Sequence, residues 1–497
     1  MNAVLEKANE LPDGWEIRDL EDVLQVIRGI SFKSSEKLHE PGKNTVVCLR
    51  TANVQESVDW SNLWWVPENF VKRDEQFIRE HDILMSNANS YELVGKVSLV
   101  RGVPEKATLG AFITMLRARD DVDPRFFFYQ LRSSRVVKEI RSRASTTTNI
   151  SNVSTGKLKD IPLWVAPLEQ QKRIVAKIEE LFSHIDAGIE ALKKAKQLLK
   201  QYRQSVLKAA VTGELTKEWR EANKDKLEPA SQLLERILKE RRQKWEEQQL
   251  EQFKAKGKLP KDDKWKDKYK EPVATRGWEF LSEIPDSWSW VSMDQIGDSQ
   301  DQPVLTGPFG SNLGKEDFTQ DGVPVLTIGC LQEEGIDLSR AMHVSKNKAE
   351  ELDRYQLKEG DMLFSRMAAV GRAGFVTPEL EGALFNYHIM RLRLHTYAML
   401  QEYFVHYVRG SSQVYDYVKE VNHGATRDGI NTQQLLEMPV ALAPLQEQKE
   451  ICKVVSEKLG AIRRLESEID IQLLKADKNK QSVLASSFTG KLITTGD

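Results

Sequence analysis

The first half of this chain occurs again, imperfectly, about 277 residues further on. Ile161-Pro162, Ala166-Pro167-Leu168 and Gln171-Lys172 return as Met438-Pro439, Ala443-Pro444-Leu445 and Gln448-Lys449. Gln204-Ser205-Val206-Leu207 and Thr212-Gly213 return at the same offset as Gln481-Ser482-Val483-Leu484 and Thr489-Gly490. A repeat of this length restricts the fold more than any local motif does. One unit must be built twice, and the product has an approximate two-fold axis. Such a molecule is suited to reading two separate places on a long ligand such as duplex DNA, as dimeric DNA readers match their symmetry to paired half-sites.

Each copy opens on a proline-aspartate stretch ending in tryptophan, Trp15 and Trp288, followed by about 150 residues of mixed character. β-rich runs at 45–49 and 323–328 alternate with turn signals such as Pro41-Gly42 and Gly307-Pro308. Asp82-Ile83-Leu84-Met85-Ser86 corresponds to Asp361-Met362-Leu363-Phe364-Ser365, and 95–100 to 371–376. Near the end of each mixed segment the pattern predicts one amphipathic helix, over 124–143 and 400–421.

A Pro-Leu entry then leads into a long heptad-like run in each copy. The apolar series is Ile174, Ile178, Leu181, Ile185, Ile189, Leu192, Ala195, Leu199, Tyr202, Val206 in the first. In the second it is Ile451, Val455, Leu459, Ile462, Leu465, Ile469, Leu473, Ala476, Val483. Steps of three and four sustained this long indicate a coiled-coil seam. Pro167 and Pro444 suit the first helical turn, and Gly213 and Gly490 suit the left-handed residue that ends a helix. A helix of roughly 45 residues spans about 67 Å. Its narrow apolar stripe needs a partner, and an antiparallel pair of the two copies supplies one. The predicted fold class is therefore α+β: two globular mixed α/β domains joined by two long helices forming an antiparallel coiled coil, with an internal pseudo-two-fold repeat.

Between the copies, 214–283 is densely charged and has no counterpart after the second helix. Residues 228–254 predict another helix, with Leu233, Leu234, Ile237, Leu238, Trp245, Leu250 and Phe253 on its apolar side, and 256–270 reads as an exposed linker.

The balance of 72 basic against 74 acidic residues argues against a polycation that coats nucleic acid, so DNA binding has to come from local patches. Cys48, Cys330 and Cys452 form no CxxC pair, which excludes a zinc ribbon and fits a reducing cytosol. No signal peptide and no apolar run of roughly 20 residues is present. The expected location is cytoplasmic, with no membrane contact.

The sequence carries no GxGxxG and no P-loop, and its eight histidines form no metal-binding pairs. Gly307-Pro308-Phe309-Gly310-Ser311 lacks the P-loop lysine. No catalytic residue and no metal site is expected. DNA-binding signals are stronger. Six basic residues (Arg125, Arg132, Arg135, Lys138, Arg141, Arg143) face one acid, Glu139, over 125–143, and Thr146, Thr147 and Asn149 follow with groups suited to phosphates and base edges. The second copy places His423, Thr426, Arg427 and Asn431 in the equivalent region. Arg366 and Arg372 bracket a turn that corresponds to Asn87, Asn89 and Tyr91. Arginine reads guanine and asparagine reads adenine bidentately. A solvated cationic helix face and polar surface loops are the plainer readings of the same residues. The aromatic pairs Trp64-Trp65 and Trp288/Trp290 suit packing better than base stacking.

Several segments together resemble the specificity subunit of type I restriction–modification systems: Gly307-Pro308-Phe309-Gly310-Ser311, 360–366, His423-Gly424-Ala425-Thr426 leading to Ile430-Asn431, and the repeated Ala-Pro-Leu with its glutamine-rich entry. The resemblance covers nearly the whole chain. It implies target recognition domains at 1–166 and 284–443, conserved long helices at 167–215 and 444–497, and a charged helical insertion at 216–283. It further implies a non-catalytic, sequence-specific double-stranded DNA-binding subunit that reads a bipartite site in a phage-defence system. Two methyltransferase subunits dock on the helices and, through them, the restriction subunits. S-adenosylmethionine, ATP and Mg belong to those partners, and this chain binds no cofactor. A DNA-modifying enzyme with its own recognition domains, or a coiled-coil adaptor without DNA contact, are the alternatives. Arg28 and Lys33 lie in the first copy's loose match to the glycine loop, where Ser311 and Asn312 stand in the second. The expected DNA-binding set is completed by Arg141, Arg143 and the residues named above.

Overall fold

The computed structural model describes residues 11–147, 150–258, 260, 262–298, 302–310, 312–333, 335–367, 371–395, 397–422 and 429–489. The chain divides into two compact units, 1–195 with 468–497, and 196–467. The division runs through both long helices, Leu168–Val211 and Leu445–Phe488, rather than at the domain boundaries that the repeat suggests. Each unit therefore holds one globular copy, the N-terminal part of that copy's own helix and the C-terminal part of the other copy's.

In the first unit β1 (Glu16–Asp19) pairs antiparallel with β12 (Pro162–Val165), closing the globular copy on itself. Its central sheet runs β2 (Leu24–Arg28), β9 (Ile113–Ala118), β5 (Ile83–Ser86), β7 (Val97–Leu99). A second sheet runs β4 (Trp64–Pro67), β3 (Thr45–Leu49), β8 (Ala107–Leu109), with β3 and β8 parallel. A small ladder joins β10 (Ser145–Thr146), β11 (Ser151–Asn152) and β6 (Ala88–Asn89).

The second unit repeats the plan. β13 (Ser289–Ser292) closes on β24 (Pro439–Leu442). The central sheet is β14 (Val304–Thr306), β23 (Ile389–Leu392), β20 (Met362–Ser365), β21 (Ala373–Phe375). The second sheet is β15 (Phe318–Thr319), β19 (Met342–Val344), β16 (Val323–Leu326), β22 (Leu384–Phe385), again with a parallel pair, β16 and β22. Among the described residues, β15 and the hairpin of β17 (Leu331–Gln332) and β18 (Gly335–Ile336) lack strand counterparts in the first unit, and the ladder of β6, β10 and β11 lacks one in the second.

Three devices fix each copy, and each is duplicated. A buried aspartate holds a neighbouring strand's arginine bidentately: Arg117 Nε and Nη2 donate to Asp82 at 2.8 and 2.7 Å, and Arg393 to Asp361 at 2.6 and 2.9 Å. The residue before that aspartate is left-handed in both copies, His81 (φ 66°) and Gly360 (φ 85°). A buried glutamine ties the long helix to the globular copy. Gln171 accepts from Asp123 N–H at 2.9 Å and donates to the Ala166 carbonyl at 2.8 Å. Gln448 accepts from Leu400 N–H at 2.9 Å and donates to the Ala398 and Ala443 carbonyls. The opening tryptophan completes the joint: Trp15 donates to Gln170 and Trp288 to Glu447. Each of these groups would cost stability if buried without its partner, which gives a physical reason for the repeated Gln-Lys pairs.

Pro167 and Pro444 sit one position before the expected first turn. Their carbonyls accept from Gln171 and Gln448 at 2.9 Å, so they are the capping residues and the helices start at Leu168 and Leu445. Gly213 takes φ 79°, as its place at a helix end demands, while Gly490 lies outside the described residues.

The seam follows the sequence pattern within each unit. In the first, Ile174, Ile178 and Ile469 are buried and Leu181, Ile185, Leu192, Leu473 and Val483 half-buried. Lys480 of the second helix pairs with Asp186 of the first at 2.5 Å. In the second, Val206, Ile451, Val455 and Ile462 are buried, Leu199 and Leu459 half-buried, and Arg203 pairs with Glu466 at 2.7 Å. Tyr202 and Leu465 belong to the periodic series but are exposed, at 48% and 53%. Near the helix ends the buried stripe widens to include Phe182, Leu484 and Phe488 in one unit and Leu207, Ala210 and Cys452 in the other, because there the helices pack on the globular copy as well.

Each expected terminal helix is two helices. The first breaks between Pro124–Leu131 and Ser134–Ser142, where Ser133 caps the second piece through Val136 N–H. The other breaks between Gln401–Gly410 and Ser412–Val421, where the Gly410 backbone lies against the Leu207 carbonyl so closely that a Cβ would come within 2.4 Å. The insertion helix runs Ala230–Ala255 and buries Ala230, Leu233 and Ile237 in the second unit's core. The described residues 262–270 do not form the expected linker. Trp265 is buried and stacks on Trp245 at 5.9 Å, with Tyr269 and Phe253 around them, so the segment folds back on the insertion helix. Trp64 and Trp65 sit in β4 and Trp288 is buried against Tyr403 at 6.3 Å, all in packing roles.

Candidate nucleic-acid interface

Two loops in each copy meet at a point where backbones touch. A Cβ on Gly29 would lie 2.1 Å from the Gly110 carbonyl oxygen, and one on Gly307 would lie 2.4 Å from Asn386. Both glycines follow the first strand of the central sheet, so the match of Arg28-Gly29 to Thr306-Gly307 is structural, although the flanking sequences differ. No side chain fits in either position.

Beside each crossing stands one residue that opens the segment after the buried strand. Asn87 N–H donates to the Phe112 carbonyl at 3.1 Å, and the Asn87 carbonyl accepts from Val153 at 2.9 Å. Arg366 N–H donates to the His388 carbonyl at 3.0 Å, and its carbonyl accepts from Ile430 at 3.0 Å. Asn87 and Arg366 thus hold one backbone position in two copies of one scaffold. Neither side chain is fully satisfied. Asn87 is 8% exposed and its Oδ1 has no hydrogen-bond partner among the described residues. Arg366 is half-buried and, among the described residues, its side chain donates only to the Ile430 and Tyr387 carbonyls, at 3.1 and 3.4 Å. No carboxylate pairs with it among the described residues, and desolvation lowers its pKa. The same guanidinium, after burial, helps to lower the pKa of His388. A buried amide oxygen and an unneutralised guanidinium are groups that a ligand's polar edge completes.

Other expected contacts fall in varied places. Asn89 lies in β6, with its amide donating to Ser86 Oγ and its oxygen accepting from Ser90 N–H. Thr146 shares a hydrogen bond with Ser151 across the ladder, Thr147 bonds the Ile150 carbonyl, and both are exposed. Tyr91 is 55% exposed under Arg141, which also donates to the Glu92 carbonyl. Arg28, Lys33 and Asn312 are exposed. Arg372 is exposed and lines a cleft of 840 Å³ in the second unit together with Arg203, Arg340, Arg409, Arg463 and His406. Asn149, Ser311, His423, Thr426 and Arg427 lie outside the described residues.

Two of the expected contacts are engaged within the fold. Arg143 is held by Glu139 at 2.8 Å, Asp160 at 2.5 Å and the Lys157 carbonyl, so its charge is spent inside the fold. Asn431 caps a short helix, Thr432–Leu436, accepting from Gln434 N–H at 2.9 Å. The cationic face of 125–143 is also largely neutralised. Arg125 pairs with Asp123 and Glu179, and Arg132 with Glu56. Arg135 stacks on Trp164 at 4.3 Å, where burial pulls its pKa down to about 10.

A family model described as the type I restriction modification DNA specificity domain matches residues 12–199 and 310–475. The chain belongs to this family. It is 24% identical over 491 residues to the type I restriction enzyme EcoKI specificity subunit of Escherichia coli K12, covering 98% of this chain and 90% of that one. Against the StySPI specificity subunit of Salmonella potsdam the identity is 24% over 489 residues, covering 97% and 90%. The crystal structure of the HsdS subunit from Thermoanaerobacter tengcongensis matches 97% of this chain and 98% of its own, with a TM-score of 0.52 and 15% identity. A chain from work on complex assembly and conformational transition of the type I R-M system gives 0.62 at 14% identity, covering 97% and 99%. At these identities the likeness is one of fold. The protein is a specificity subunit, the non-catalytic recognition component of its system. No helix among the described residues is long and apolar enough to cross a membrane.

The sequence alone did not reveal the glycine crossing in the first copy, the paired Asp–Arg locks or the clamp glutamines' role. The near-equal offsets of Asp82/Asp361 (279) and of Gln171/Gln448 (277) were the available signal.

Proposed function

We propose that this specificity subunit reads a bipartite site in duplex DNA, one half per copy. The observation that carries the reading is the substitution of Asn87 for Arg366 at one backbone position of a conserved scaffold. Identical scaffolds with different polar readers are what two different half-sites require, since an amide and a guanidinium select different base edges. The exposed Thr146, Thr147, Arg28, Lys33 and Asn312 supply phosphate and further base contacts.

The long helices are the scaffold for two methyltransferase subunits and, through them, the restriction subunits. Large apolar side chains are left in solvent on otherwise polar helices: Leu198, Tyr202 and Leu465 in one unit, Ile471 and Leu474 in the other. Partner helices are suited to cover them. S-adenosylmethionine, ATP and Mg act in those partners. The test is selection of bound duplexes from a randomised library by the purified complex. Two conserved blocks separated by an unread gap are expected; a single block, or no enrichment, overturns the reading.

A further inference from the structure

Among the described residues two phenylalanines are mostly exposed, Phe112 at 64% and Phe309 at 55%. Both sit at the glycine crossings, one in each copy. Phe112 follows Gly110, whose carbonyl touches Gly29, and its own carbonyl is held by Asn87 N–H. Phe309 follows Gly307 and stacks on Tyr387 at 5.8 Å with the ring planes 25° apart. The Tyr387 carbonyl is in turn held by Arg366. The two rings come from opposite strands of the crossing: Phe112 lies in the loop before β9, Phe309 in the loop after β14. The sequence repeat therefore does not align them, yet each copy carries one exposed ring next to its candidate base reader.

We infer that Phe112 and Phe309 are aromatic wedges, each stacking into a base step of its half-site beside the base read by Asn87 or Arg366. The inference rests on the DNA-reading role proposed above. A single exposed phenylalanine per copy is far too small to seat a protein, which needs about 800 Å² on each side, but it matches the face of one base. At Gly29 and Gly307 backbone meets backbone, which anchors the base of each crossing beside its ring, as suits an apolar side chain that inserts at a base step. The neighbouring groups, an amide in one copy and an unneutralised guanidinium in the other, suit a base edge and the phosphates around it.

The experiment uses the full complex and the duplex most enriched in the library selection, with 2-aminopurine placed at successive positions. Wild-type binding should raise the fluorescence at one step in each half-site. Phe112→Ala should abolish the rise in one half-site only and Phe309→Ala in the other only, each with about a tenfold loss of binding. Phe309→Leu, apolar but without a ring, should behave as Phe309→Ala. Unchanged circular dichroism melts guard against misfolding, and both side chains are exposed enough to replace. Tight wild-type binding with no fluorescence change at any position overturns the wedge and leaves the DNA-reading role intact. Failure of the wild type to enrich any duplex sinks the reading beneath it. Variants that unstack DNA normally but lose the methyltransferase mark the rings as protein contacts and also overturn the inference.

Discussion

Arg366→Ala is the sharpest perturbation of the proposed half-site readers. The side chain donates two hydrogen bonds to carbonyls, at 3.1 and 3.4 Å, and both are lost. A hydrogen bond from a charged group contributes about 1.5–3 kcal/mol, the lower end suiting these long contacts, so the fold should weaken but survive against a net stability of about 5–15 kcal/mol. The diagnostic effect lies at the DNA, where a bidentate arginine–base contact discriminates by about 1–3 kcal/mol, roughly 5- to 150-fold. Because Arg366 belongs to one copy, the loss should be confined to one position of one half-site. Competition binding with duplexes altered singly at each position of both half-sites measures it. Arg366→Lys separates two explanations: it keeps the charge but not the planar fork, so a base contact is lost while a phosphate contact persists. Uniform weakening across all sequences, with the salt slope reduced by about one, would refute the base-reading role. Equal damage to both half-sites would refute the division of labour between the copies.

Three further outcomes follow from named environments. Ile462 is 1% exposed, so Ile462→Asp buries an unpaired charge and should cost about 4 kcal/mol in urea denaturation, whereas Ile185→Asp, at a half-buried position, should cost about 1 kcal/mol; equal losses contradict the seam assignment. Leu474 is 65% exposed, and Leu474→Asp should weaken co-purification of the methyltransferase without moving the urea midpoint; undiminished capture contradicts docking there. Burial and the adjacent Arg409 pull the His406 pKa from 6.5 down to about 4. The unfolded chain then binds the proton first as pH falls through 6.5 towards 4, so stability drops by about 2 kcal/mol between pH 7.5 and pH 5. His406→Gln should flatten that part of the pH profile, and an unchanged profile contradicts the assignment.

The long helices were legible because apolar steps of three and four recur along most of each run, and all fourteen named seam positions are buried or half-buried. Tyr202 and Leu465 fit the period yet face solvent, since a periodic stripe does not reveal how wide the partner is. The buried strands around Asp82 and Asp361 were legible from their matching Asp-apolar-apolar-apolar-Ser pattern. The cationic segment misled. Its single local acid, Glu139, hid neutralising partners that come from distant sequence: Asp160 for Arg143, Glu56 for Arg132, Glu179 for Arg125. The breaks at Ser133 and Gly410 are set by a side-chain cap and by a tertiary contact with Leu207, and the amphipathic pattern runs across both. Trp265 read as linker because its partners, Trp245 and Phe253, lie a helix away. Asn87 and Arg366 were named from the sequence for their side chains, and only the backbone pairing shows that they hold equivalent positions.

The most direct test maps methylated adenines in cells carrying this chain and its methyltransferase, beside a variant with four residues inserted after Leu192. Four helical residues add about 6 Å, close to two base pairs. The account predicts one split motif for the wild type, and for the variant the same two blocks with a longer gap. An unsplit motif, or an unchanged gap in a variant that still methylates, would contradict it.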